Sequence, residues 1–456
     1  MKRLISCVLA LLYVMAGFAS GTWILHGKEY RVDTLYHAYI GPGTTQTSIK
    51  LAGPVNLRVF YTTTDLKNEN VDVRAIKHKD TLTGLGTVSN AAESHSTSNR
   101  SYFAGINADF FSSSMPCGIT VVDGEVYCSD QASGWSLFGI DANKIPYSGG
   151  GDFYVKLTAP DYSTAELSAM NLERETNGLV LYSSRKGANT GTDGNGSEVV
   201  LIPDGEGNFL TPGATVRMRV QGNPNHAGSM PIPDNGYILS GSGTKESFVS
   251  NLSEGDEVEV RCAIRFNGFT GGKIQQALGG CPMLVSGGKV LDTENALDHL
   301  TSAQPRTAVG YNTEKNKLVM LVADGRSSIS VGPISKVLAD IMIYAGCSEA
   351  MNFDGGGSST FYVKGEGVIN QPSDGSERSV TDGLYLSTDA PQNDMTITTI
   401  RFMDYAKTLN QGDAYTPVIY GYNQYGVLVD RNVEGVTLSC GSSLGTITND
   451  GTTLNA

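Results

Sequence analysis

Three short stretches of this sequence set carboxylate, amide and guanidinium groups where chain geometry would focus them. Gly105-Ile-Asn107-Ala-Asp109-Phe110-Phe111 places Asn107 and Asp109 two residues apart, on one side of a strand. Gln304-Pro-Arg306-Thr307 carries a single guanidinium, which on its own reads equally well as an exposed turn. Asn352-Phe-Asp354-Gly355-Gly356-Gly357-Ser358-Ser359 ends an apolar run on a carboxylate and then on three glycines. A lone buried carboxylate is costly, so Asp354 asks for a partner or a task. The Phe pair reads as core, and the glycines alone read as a flexible turn. Successive N–H groups from Gly355 to Gly357 can also wrap an anion. A planar guanidinium grips phosphate oxygens two at a time, which suits Arg306 or Arg326.

The elements that must hold these groups are legible around residues 317–363. Leu318-Val-Met-Leu-Val-Ala323 reads as a buried strand ending at Asp324-Gly325-Arg326. Pro333 opens a helix whose apolar positions are Ile334, Val337, Leu338, Ile341, Met342 and Ala345, and Gly346 stops it. Ala350 to Phe353 reads as a second strand, so the unit is strand, helix, strand. A crossover of this length allows parallel pairing. Asp324 and Asp354 would then emerge together at the C-terminal edge of one sheet, where ligand sites form.

The rest of the chain reads as β structure. Apolar residues alternate in Val55–Tyr61 and Val71–Ala75. Gly is abundant, 55 of 456 residues, and charged residues are only 17%, against about 25% in ordinary domains. The expected class is α+β: a mixed β-sheet catalytic domain over 22–387, with its core at 100–387 and a β-rich insertion at about 150–260. A Pro-containing linker at 388–394 leads to a small immunoglobulin-like β-sandwich at 395–456, which looks truncated. Cys117 and Cys128 flank a hairpin turning at Asp123-Gly124. A regular two-residue turn sets Cys128 opposite Ile119, with Cys117 too far for an easy bridge. Free thiols are the expectation for the six cysteines beyond Cys7.

Met1-Lys2-Arg3, the apolar run Leu4–Phe18 and Ala19-Ser20-Gly21 read as a cleaved signal peptide over residues 1–21. Export to the periplasm, cell surface or medium follows, with no integral membrane segment after cleavage. The net charge of −13 and the lack of a basic block argue against nucleic acid as a partner. H-E-x-x-H, G-x-G-x-x-G and a phosphate-loop lysine are all missing. Gly441-Ser-Ser-Leu-Gly445 has no His after it to serve as a hydrolase partner, and Asp193–Glu198 is only a partial calcium loop.

Asn107-Ala-Asp109-Phe-Phe111, Arg306-Thr307, Asp324-Gly325-Arg326 and Asn352-Phe-Asp354-Gly-Gly-Gly-Ser-Ser359 resemble the successive motifs of the phosphodiester glycosidase family. Cys281-Pro282-Met-Leu-Val resembles its Gly-Pro-x-Leu-Val segment, and Glu377-Arg378-Ser-Val-Thr-Asp382-Gly383 its closing Arg motif. The resemblance runs from about 100 to 387. It departs at Ala108 and Asp109, where many members carry glycines. It implies an exported hydrolase that cleaves the C1–O bond of a sugar-1-phosphodiester, a small molecule or a phosphate-linked glycan. Asp354 is then the carboxylate nearest C1, Asp324 a second acid-base group or an orienter of Arg306, and Arg306 a phosphate ligand. Asn107, Asp109, Arg326, Asn352, Gly355, Gly356, Gly357, Ser358, Ser359 and Arg378 are the candidate substrate-binding residues. No cofactor is expected, with a divalent cation such as calcium left open. Two other readings stand beside this one: a metal-dependent phosphodiesterase using Asp109, Asp324 and Asp354, and a non-catalytic surface protein that binds glycans.

Overall fold

The structure is a computed structural model. It describes residues 21–130, 135–205, 209–267, 269–270, 272–293, 300–403 and 409–456. The leader expected at 1–21 lies, but for its last residue, outside the described residues. Gly21 already opens a strand paired to Val32.

Strands dominate and helices are few. The elements that frame the site are β1 (Asn56–Asp65), β2 (Asp72–Lys77), β3 (Ser101–Asn107), β4 (Ile274–Gly280), β5 (Met283–Ser286), β6 (Arg306–Tyr311), β7 (Lys317–Ala323), helix α1 (Ser335–Tyr344), β8 (Glu349–Asn352), β9 (Phe361–Val363) and β10 (Asp382–Thr388). A nine-stranded sheet runs through three N-terminal strands to β1, then β7, β6, β8 and β5, and ends at Lys289–Val290. A five-stranded sheet has the order Gly367–Val368, β9, β3, β10, β2. The two sheets face each other across a core that includes Phe60, Val73, Phe103, Ile106, Met320, Met351, Phe353, Phe361 and Leu384. The other face of the nine-stranded sheet is covered by α1 through Leu338, Ile341 and Met342.

The strand–helix–strand unit is present but its strands do not pair. β7 and β8 run the same way, yet both are hydrogen-bonded to β6, which lies antiparallel between them. The tight 312–316 connection makes β6 and β7 a hairpin, so the crossover through α1 skips one strand. The direction argument survives this correction. Arg306 pairs with Ala323 and Ala308 with Asn352, so Arg306, Asp324 and Asp354 all emerge at one edge.

The β-rich stretch from 150 to 260 belongs to a thirteen-stranded sheet that also takes β4, Thr120–Val122, Glu125–Cys128 and Ser136–Asp141. It wraps an apolar core of its own. Its two end strands approach, joined by Ser129 Oγ, which accepts from Met170 N, and by Asn171 Nδ2, which donates to Val126 O and Tyr127 O. The hairpin at Asp123-Gly124 has positive φ at both turn residues. A bulge shifts its register, so Cys128 faces Thr120 and not Ile119. The six described cysteines are free thiols. Asp193 is held by Arg174 and Asn195.

Residues 395–456 form two three-stranded sheets. Tyr420 and Tyr422 pack on Ala38, Tyr422 Oη donates to Tyr39 O, and Arg431 pairs with Glu366. Among the described residues no helix is long and apolar enough to cross a membrane.

Candidate active site

Asp354 follows β8 directly, where the sheet ends and the chain must leave it. Its N–H donates to Ala108 O at 2.8 Å, and Asn107 Nδ2 donates to Asp354 O at 2.7 Å. The main chain of Asp354 is thereby clipped to the end of β3, and the two sheets are stitched at this point. Burial pushes the Asp354 carboxyl up to about 6. Ser358, Arg378 and the Gly355 N–H hold it down, and Asp382 pushes it further up.

The glycine turn brings cations to this carboxyl. Gly355–Gly357 curls into one 3-10 turn ending at Ser358. A Cβ on Gly357 would stand 2.0 Å from Arg378 Nη2, so only glycine lets that guanidinium lie against the backbone. Arg378 donates through Nε and Nη2 to Asp374 Oδ2, at 2.8 and 2.6 Å, and through Nη1 to Ser358 Oγ at 3.4 Å. Its side chain is 41% exposed. On the other side of the turn Arg326, also exposed, donates to Gln304 Oε1 at 2.6 Å and to Ser373 Oγ at 3.4 Å. A Cβ on Gly356 would be 3.0 Å from Arg326 Nη2. Two solvent-facing guanidiniums thus lie on the glycine turn that follows the half-buried Asp354, and Arg378 acts on its carboxyl. The glycine amides are less available than the sequence suggests, since Gly356 N donates to Pro305 O and Gly355 N faces Asp354.

Several predicted site residues turn out to frame this group and not to face solvent. Arg306 is 1% exposed. Its Nε donates to Pro333 O, and its Nη2 to Ser302 O at 2.9 Å and more weakly to Leu300 O. Burial and the neighbouring Arg326 lower it to about 10. The guanidinium ties the 300–302 segment to the start of α1. Asp324 is also buried, and Oδ1 accepts from Gln371 N at 2.8 Å and Asn370 Nδ2 at 3.3 Å. Asn370 in turn holds Ser359 O and Phe361 N. Asp324 therefore orients the 359–371 connection and not Arg306; burial raises it, opposed by these donors. Asn107 spends its amide on Asp354 O, Thr307 Oγ1 and Thr360 N. Asn352 Nδ2 donates to Cys281 O and Phe353 O. Ser359 Oγ accepts from Thr307, and Ser358 lies under Arg378. Asp109 sits behind Asp354, 1% exposed, its Oδ2 accepting from Gly118 N at 2.8 Å.

Two charged residues beside Asp109 were missed. Asp382 Oδ1 accepts from Asp109 N at 2.9 Å, and Lys77 is buried directly across from Asp382. Lys77 did carry a signal, because Val71, Val73, Ala75 and Lys77 alternate onto one face and that face is buried. Among the described residues no three His, Cys, Asp or Glu side chains are spaced to hold one metal ion. Asp324 is engaged with Asn370 and Gln371, so Asp109, Asp324 and Asp354 do not form the single ligand set that the phosphodiesterase reading required.

Comparison with known proteins adds to this geometry. The uncharacterized SPbeta prophage-derived protein YomE of Bacillus subtilis is 40% identical over 88 residues, 19% of this chain and 13% of that protein. A hypothetical protein of Synechocystis shares the fold with a TM-score of 0.58 at 15% identity, over 76% of this chain and 62% of that one. A Burkholderia pseudomallei protein proposed to be exported does so with a TM-score of 0.54 at 21% identity, over 74% and 75%. The chain thus spans 13% of the length of YomE and 62% of the Synechocystis chain. The family model of the phosphodiester glycosidases matches residues 212–387. That segment, which holds every site residue from Arg306 to Arg378, is the part of the chain that is similar to the phosphodiester glycosidases.

Proposed function

We propose that the protein hydrolyses a sugar-1-phosphodiester between C1 and the bridging oxygen. The observation that carries this is the half-buried Asp354 carboxyl, which the exposed Arg378 holds down, at the start of a glycine turn against which the exposed Arg326 also lies. The non-bridging phosphate oxygens lie on the two guanidiniums, whose fixed forks suit them. C1 then faces Asp354. Water adds its oxygen to C1, and the C1–O bond breaks with its electron pair kept by the phosphate oxygen. Asp354 takes the proton from that water and stabilises the positive charge that builds on the sugar ring. The products are a free sugar and a phosphate monoester. The guanidiniums meet the charge that develops on the leaving oxygen, which lessens the need for a separate acid. Arg306, Asp324, Asn107 and Asn352 hold the frame.

Support for the reaction class comes from the family match over 212–387. The test is a screen of α-sugar-1-phosphodiesters in oxygen-18 water, with and without chelator. Label in the sugar supports C1–O cleavage. Label in the phosphate means P–O cleavage and a different enzyme. A chain that binds glycans yet turns nothing over would be a binding protein. The reading includes export and a separable module at 395–456. N-terminal sequencing of secreted protein, expected to begin near Ser20 or Thr22, checks the export.

A further inference from the structure

Two carboxyls and one ammonium lie buried together behind Asp354, and the proposed reaction uses none of them. Lys77 ends β2 directly opposite Asp382, the first residue of β10. Opposed residues of an antiparallel pair project to the same face with Cβ atoms about 5 Å apart. Lys77 Nζ donates to Thr381 O at 3.1 Å, and Asp382 Oδ2 accepts from Thr381 Oγ1 at 3.0 Å. Asp382 Oδ1 takes the N–H of Asp109. Asp109 Oδ1 is buried and has no hydrogen-bond partner. Its other oxygen is pressed into a glycine cradle: a Cβ on Gly279 would stand 2.6 Å from Oδ2, and one on Gly118 3.0 Å. Asp354 hangs from the residue beside Asp109 through its bond to Ala108 O.

Two carboxylates in one apolar pocket cannot both ionise, and one ammonium balances one of them. Burial raises both groups; Asp382 raises Asp109 further, and Lys77 draws Asp382 down. Burial lowers Lys77, which Asp382, Cys128 and Asp109 oppose. The other titratable groups around the pocket are Cys117 and Cys128, pushed up to about 11 and 12, Tyr385, raised by burial, and His78, lowered by burial to about 4, all uncharged at neutral pH, together with Asp354 itself. Arg378 stands beyond Asp354.

We propose that Asp109 and Asp382 share one negative charge, balanced by Lys77, and act as a single positioning unit that sets where Asp354 sits and when it gives up its proton. The functional weight of this unit rests on the reading of Asp354 as the base, but its test does not need turnover. Asp354 is titrated by carbon-13 NMR of protein labelled at aspartate Cγ, with its resonance identified by its loss in Asp354→Asn. Asp109→Asn and Asp382→Asn should each move the Asp354 midpoint by less than about 0.3 pH, because the remaining carboxyl takes over the charge. The double variant should lower it by about 1 pH or more, since the shared anion is gone. Single effects that add up to the double effect overturn the proposal, as does a double variant with the parental midpoint. Lys77→Met is the second measurement if the double variant does not fold. Without the ammonium both carboxyls stay protonated, so the midpoint falls there too, and an unmoved midpoint is fatal to the idea. If no sugar phosphodiester is turned over, the reaction is wrong while this titration still decides the shared charge. Where turnover is measured, kcat/KM at pH 5 should rise about fivefold if the midpoint drops by one pH from about 6, because the ionised share of Asp354 goes from about a tenth to about half.

Discussion

Replacing Asp354 by Asn should make the protein more stable and inactive at once, with a gain in stability that depends on pH in a defined direction. Burial, with Asp382 adding to it, raises the folded Asp354 to about 6 from its ordinary 3.8. A carboxyl raised on folding holds its proton more tightly in the native state. Its ionisation therefore opposes folding at any pH above 3.8, and the penalty is complete above 6. Asn keeps the shape of the protonated acid and removes the penalty. The difference is about 2.2 pH at about 1.4 kcal/mol each, or about 3 kcal/mol at pH 8. It is roughly half that at pH 5 and nearly gone at pH 4. His78, buried and lowered to about 4, loses stability as pH falls from 6.5 toward 4, the opposite trend. It is common to both proteins and cancels in the comparison. The assay is urea unfolding of parent and variant at pH 8, 5 and 4, beside kinetics. kcat should fall by about three orders of magnitude or more, the loss of about 4 kcal/mol of transition-state stabilisation. A folded variant keeping more than about a tenth of parental kcat removes Asp354 from the centre of the chemistry. A gain in stability that stays level from pH 8 to pH 4 would falsify the claim that the carboxyl is held out of its ordinary range.

Other expectations follow from the same contacts. Arg378→Ala should raise KM by about ten- to a hundredfold, the worth of a charge-assisted contact, with an unchanged melt because the side chain is half in solvent. Gly357→Ala should reproduce that KM effect, because its Cβ would occupy the guanidinium's place; parental KM in a folded Gly357→Ala means Arg378 is not the phosphate ligand. Arg306→Ala should destabilise by about 3 kcal/mol or more through the carbonyls it leaves unpaired, and a variant that melts like the parent but binds substrate weakly would return Arg306 to the binding site. A chain ending near Asp389 should keep its kcat, measured on the soluble fraction, and melt at a lower temperature because Ala38 loses the cover of Tyr420 and Tyr422.

The edge on which the site is built could be read from the sequence, and the facing of the side chains there could not. Apolar runs stopped by Asp-Gly pairs gave β7 and β8 their direction, and that alone carried Asp324 and Asp354 to one end of the sheet. Pairing was misjudged because a crossover length limits which strands can be parallel neighbours but says nothing of a third strand inserted between them. The tight 312–316 connection held that information, since it joins β6 to β7 too closely for anything but a hairpin. Facing was lost for a different reason. Arg306, Arg326 and Arg378 are the same residue type in similar polar neighbourhoods, yet one is fully buried and two face solvent. The acceptors that decide this for Arg306 are the main-chain carbonyls of Leu300, Ser302 and Pro333. Main-chain acceptors have no sequence signature.

Lys77 shows what a stricter use of alternation would have recovered. Val71, Val73 and Ala75 alternate along a strand and are buried, and the next position on that face is a lysine. A lysine there must meet an anion, because an unpaired ammonium in a core is lowered or expelled. The strand hydrogen-bonded to β2 on its inner side is β10, so the anion has to come from that strand or from the loop it supports. Asp382 is its first residue, within the motif that closes at Arg378 and Gly383. One inward lysine therefore implies a buried acid at the start of β10. That acid, by accepting the N–H of Asp109, reaches the residues from which Asp354 is suspended. The buried charge behind the site and the exposed guanidiniums before it leave Asp354 between a region that resists its ionisation and one that favours it. A group held in that balance near neutral pH can take a proton from water and return it in each cycle.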